Sequence, residues 1–186
     1  MTIAQQASSA SLVADTPPGR RGPVDGTRWL GLLCRPGFEA EVSEEINAWA
    51  VTHGQTAREL WHEPGMVLIE LAASAGSAKP SVDTPAYAEL VFARDSMLVA
   101  AEFTALDSKD RFGPIEAALE ALGPLREVSV LTVDSDQGKP LAPLVRALES
   151  RVAARSSASG HRFARVWWVN GTHALVGSIA PRSAAP

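Results

Sequence analysis

Few residues in this chain could do chemistry: one cysteine and four histidines. Cys34 closes the apolar run "RWLGLLC" (28–34). A thiol attacks only as the thiolate, which needs a base or a cation beside it. Arg35 is adjacent, but neighbours along a strand point to opposite faces, so Cys34 reads as a small buried side chain. Arg35-Pro36-Gly37 leads into an acidic segment, Glu39, Glu41, Glu44 and Glu45. A phosphate could meet backbone N–H groups at such a helix start. The standard phosphate loops use several glycines and this turn has one, while four carboxylates behind it would repel an anion. The corner therefore reads as structural. His53, His62, His161 and His173 show no metal-ligand spacing and read as exposed loop positions. "VSVLTVDSD" (128–136) ends in acids like a nucleotide-binding strand, but no glycine-rich turn follows. No catalytic constellation and no metal set emerges.

Charge is unevenly spread. Residues 1–100 hold 12 acids and 7 Lys/Arg, whereas residues 139–186 hold one acid, Glu149, against seven basic residues, a local balance of +6. The whole chain carries −4, which excludes indiscriminate coating of nucleic acid. A basic lobe on an acidic chain points to an anionic partner that meets one face. Lys139, Arg146, Arg151, Arg155, Arg162 and Arg165 are the candidates for that contact. On a helical wheel Arg146 and Arg151 flank the apolar stripe on opposite sides, and Arg155 lies at the helix end. Trp167 and Trp168 alternate faces of a strand, so at most one is free to stack on a base.

The elements that must position these residues follow from periodicity. Strands are expected at 28–34, 66–72, 97–104 and 126–134, the last a central strand because both its faces are apolar. Helices are expected at 38–49, at 114–122 with Pro114 in the first turn, and at 141–155. "RFARVWWV" and "THALVGSI", joined at Asn170-Gly171, form a hairpin. The order is α+β, with two small sheet-and-helix units in succession. Residues 1–27 and 181–186 are expected to be disordered tails. No apolar run approaches the length of a membrane helix, no secretory signal is present, and a single Cys fits a reducing cytoplasm.

"LLCRPGFEAEVSEEI" (32–46), "ELVFAR" (89–94) and "VDSDQGKPLAPLVRALESRVAAR" (133–155) together resemble the N-terminal region of the bacterial ribosomal RNA large subunit methyltransferase M family. The likeness covers residues 28–179. That family 2′-O-methylates a cytidine of 23S ribosomal RNA. The resemblance implies a ferredoxin-like unit over 28–105 and a THUMP-like, RNA-binding unit over 106–180, with no Rossmann methyltransferase domain before Pro186. It implies a monomer that binds structured 23S rRNA while catalysis lies elsewhere, and no cofactor in this chain, with S-adenosylmethionine expected only for a full-length enzyme. The alternative is a standalone ferredoxin-like module that binds a protein or small ligand at a sheet edge and ignores RNA.

Overall fold

In the computed structural model, which describes residues 19–75, 82–133, 138–157 and 159–179, apolar alternation and glycine turns build eight strands and three α-helices among the described residues. They run β1 (Arg20–Arg21), β2 (Thr27–Cys34), α1 (Glu39–Thr52), β3 (Gln55–Glu63), β4 (Met66–Ala73), β5 (Ala93–Phe103), α2 (Gly113–Ala121), β6 (Leu125–Thr132), α3 (Ala142–Val152), β7 (Arg162–Asn170) and β8 (His173–Ser178). All strands belong to one sheet of order β3-β4-β2-β5-β8-β7-β6, with β1 alongside β5. Only β6 and β7 pair in parallel among the described strands, and α3 makes the crossover that a parallel pair requires.

The sheet corrects the expected fold class. A ferredoxin-like unit followed by a THUMP-like unit was expected to give two sheets in succession. Instead β5 pairs with β2 on one side and with β8 on the other, so one mixed sheet runs through the whole described chain. The amino-terminal tail is corrected in part. Residues 1–18 lie outside the described residues, but Arg20–Arg21 form β1, opposite Phe103 and Glu102 of β5. The carboxy-terminal tail, 181–186, lies outside the described residues.

One face of the sheet carries all three helices. Val42, Ile46 and Ala50 of α1 cover Leu30, Leu32, Val67, Ile69 and Leu71. Ile115 and Leu119 of α2, with Leu148 and Val152 of α3, cover Phe103, Val130, Val166, Trp168 and Val176. The opposite face has its own core of Trp29, Met66, Leu68, Met97, Val99, Trp167 and Leu175. No helix covers it, because the sheet curls and covers itself. β3 and β8 are four strand steps apart, ~19 Å on a flat sheet, yet Trp61 of β3 lies edge-on to His173 of β8 with ring centroids 5.1 Å apart. Gly31 permits this closure: a Cβ there would stand 3.1 Å from Cζ3 of Trp167.

Register shifts accompany the curl in five strand pairings. Such bulges bend a strand and raise its twist. At Ala100, the extra residue of β5 against β8, the pattern changes sides: Val99 belongs to the concave core and Ala101 to the helix-covered one.

Candidate nucleic-acid interface

A guanidinium is available to an anion only when no carboxylate already holds it, and that test divides the basic residues. Arg151 donates to Glu116, and Arg155 donates to Glu116 at 3.0 Å and to Glu120. These bonds clasp α3 to α2. They hold the Glu116 carboxyl below its ordinary range, chiefly through Arg151 and against the opposing effect of burial. Arg165 pairs with Asp95 of β5. Lys139 stands exposed in the turn before α3, and Arg146 is exposed on α3 without a carboxylate partner among the described residues.

Arg162 also has no such partner, and it opens β7 opposite Leu125. Beside it the structure adds a residue that charge counting passed over. Arg126 is the extra residue of a bulge between Leu125 and Glu127, and a bulge re-aims a side chain. Its guanidinium carbon lies 5.8 Å from the ring centroid of Phe163. That ring is 38% exposed. Arg126, Arg162 and Phe163 thus gather two cations and an aromatic face at one end of β6–β7, with Glu127 opposite Phe163 in the register. Sequence reasoning missed Arg126 because it lies outside the basic segment. Its signal was the aromatic at position 163 on the strand paired with it.

The tryptophans do not join this surface. Trp167 and Trp168 are both fully buried, one in each core, so neither stacks on a base. Cys34 is buried, and that burial first, with Glu39 next, pushes its thiol up to about 11; it stays protonated and unreactive at neutral pH. At the "CRPGFE" corner Gly37 has φ +92°. Its N–H donates to Glu39 Oε2 at 3.0 Å, and the Gly65 N–H donates to Glu39 Oε1 at 2.6 Å. Burial opposes ionisation of Glu39, yet those backbone bonds hold its carboxyl below the ordinary value. The corner's donors are taken by the protein's own acid, so no phosphate is cradled there.

His53 and His161 are exposed and lie outside the helices and strands, as expected, whereas the other two histidines lie on strands. His62 lies on β3 and bonds Glu59 at 2.7 Å. His173 starts β8 with Nε2 2.9 Å from Glu102 Oε1. Glu102, wholly buried, also accepts from Trp61 Nε1 at 2.8 Å and faces the Arg21 guanidinium at 2.9 Å. Burial works against this carboxylate, but His173, Arg21 and Trp61 together hold it below the ordinary range. Among the described residues no group of His, Cys, Asp and Glu could hold a metal.

No family model matches the chain. Curated proteins do. Ribosomal RNA large subunit methyltransferase M of Xanthomonas axonopodis pv. citri (strain 306) is 32% identical over 169 residues, which are 84% of this chain and 47% of the relative. The protein of the same name from Xanthomonas oryzae pv. oryzae (strain PXO99A) is 39% identical over 120 residues, 62% of this chain and 33% of its own. The chain is homologous to a region of methyltransferase M. It spans about half the length of the first of these relatives. Among solved structures, TrmN from Thermus thermophilus is similar at TM-score 0.46 and 21% identity, covering 81% of this chain and 45% of that one. SMU.472, complexed with SAH, is similar at TM-score 0.47 and 15% identity, covering 85% and 43%.

The methyltransferase M relatives correct the expected function. RNA recognition set apart from methyl transfer, and its alternative of a standalone module without RNA, both give way. The likeness runs through up to 84% of the chain to proteins named for methylating ribosomal RNA. The corner after β2 does not fit a methyl-donor nucleoside, because the N–H groups of Gly37 and of the adjacent Gly65 are spent on Glu39. No helix is long and apolar enough to cross a membrane among the described residues.

Proposed function

We propose that this chain works in the methylation of large-subunit ribosomal RNA, with S-adenosylmethionine as the methyl donor of the reaction. The observation that carries the reading is the 32% identity to methyltransferase M over 84% of the chain. The rRNA meets the protein where Arg126, Arg162 and Phe163 converge, with Arg146 as a further phosphate contact. Two guanidiniums without carboxylate partners supply charge, and a half-exposed ring supplies a stacking face. Arg151, Arg155 and Arg165, expected as contacts, are spent inside the fold.

Two measurements test this. Deleting the gene is expected to cost large-subunit rRNA one ribose methyl group, read by mass spectrometry of its nucleosides; unchanged rRNA defeats the reading. In binding titrations across salt, Arg126→Ala and Arg162→Ala each reduce the slope of log affinity against log salt by about one. An unaltered slope with RNA still bound removes this surface from the interface and leaves the methylation reading standing.

A further inference from the structure

A second surface is apolar where the first is basic. Val91 is 81% exposed, Phe92 38% and Phe38 37%. The two rings stack with centroids 6.0 Å apart. The backbone beneath two of them is fixed by α1: the Glu45 carboxylate accepts the Val91 N–H at 2.5 Å and the Phe92 N–H at 3.3 Å. Phe38, Glu41 and Glu45 stand at i, i+3 and i+7, so they share one face of α1 and the residue that precedes it. Within that stripe Glu41 Oε2 is buried and accepts no hydrogen bond from any described residue. A buried acceptor without a donor is a standing cost that a visiting donor would relieve.

We propose that this face docks a basic segment of another polypeptide, whose Arg or Lys donates to Glu41 while flanking apolar side chains cover Val91, Phe92 and Phe38. The charge around it selects that partner. Glu39, Glu41, Glu44 and Glu45 crowd the first turns of α1, which disfavours RNA phosphates. Arg35, exposed on the neighbouring segment, is placed to meet an acid on the same visitor. The proposal does not depend on what binds at the Arg126–Phe163 end.

The test uses fluorescein-labelled synthetic peptides in which Leu alternates with Arg, beside matched peptides with Glu in place of Arg, read by anisotropy against the whole chain. The Leu–Arg peptides bind and the Leu–Glu peptides do not. Glu41→Gln and Phe92→Ser each weaken binding about fivefold or more, while Glu44→Gln, which removes the same charge off the stripe, leaves it within about twofold. Circular dichroism melts check that the variants remain folded. The proposal is overturned if no Leu–Arg peptide binds, if Glu44→Gln weakens binding as much as Glu41→Gln, or if an rRNA fragment displaces the peptide. A concentration-dependent dimer in sedimentation that Phe92→Ser abolishes would assign the face to a second copy and overturn it too.

Discussion

Glu102 shows what a single side chain does in this protein. Its carboxylate is wholly buried and joins Arg21 of β1, Trp61 of β3 and His173 of β8, residues far apart in sequence that meet only when the sheet closes. Glu102→Gln keeps the shape and removes the charge, and is expected to cost about 2 kcal/mol in urea unfolding at neutral pH. The pH dependence has a definite sign. The folded carboxyl sits below its ordinary 4.5, so its stabilisation is complete above that value and drains away as pH falls through the folded value. The gap in urea midpoint between the natural protein and the variant should therefore close on acidification below about 4.5 and stay constant above it. A gap that persists in acid would show that shape, not charge, matters at this position. None of this was legible beforehand. A lone Glu in "LVAAEF" carries no mark of its three partners.

At the scale of elements, the clasp between α2 and α3 decides what the basic segment does. Arg151 and Arg155 meet Glu116 and Glu120 across 35 and more residues of sequence. Exposed ion pairs of this kind contribute ~0–1 kcal/mol, so their larger effect is to withdraw two cations from the surface. Replacing both Glu116 and Glu120 with Ala should lower stability by about 1 kcal/mol and release both arginines. The salt slope for RNA should then rise by up to about two. A slope unchanged by that double variant would mean the freed arginines point away from the bound RNA. The elements themselves were largely readable. The stripe of Leu144, Val145, Leu148 and Val152 gave α3, and Asn170-Gly171 gave the β7–β8 hairpin. β3 was missed, since "QTARELWHE" is an edge strand wet on one face and its charges mask the alternation. β6 was expected at the centre and lies at the edge. Its second apolar face is explained by the concave core, into which Leu131 and Val133 point.

For the molecule as a whole, the sharing of β5 has thermodynamic weight. The strand is paired along both edges, and the concave core draws on strands from both ends of the chain. Unfolding should accordingly be a single transition, with tryptophan fluorescence and far-ultraviolet dichroism coincident. Two resolved transitions would mean that the halves on either side of residue 105 are independent. Pairings this distant in sequence also imply folding in milliseconds to seconds rather than microseconds. The two-unit reading failed because strand spacing announces hairpins and crossovers but does not say which outer edges meet.

The curl lives in the unpaired residues. Ala100 makes no demand on either core, and a chain shortened by that one residue would keep Val99 and Ala101 on their present sides. What it would lose is the bend. A straighter β5 carries Trp61 away from His173, leaves the Glu102 charge open to water, and turns a self-sealed sheet into one with a bare oily side, so a single exposed alanine governs whether the sheet closes on itself.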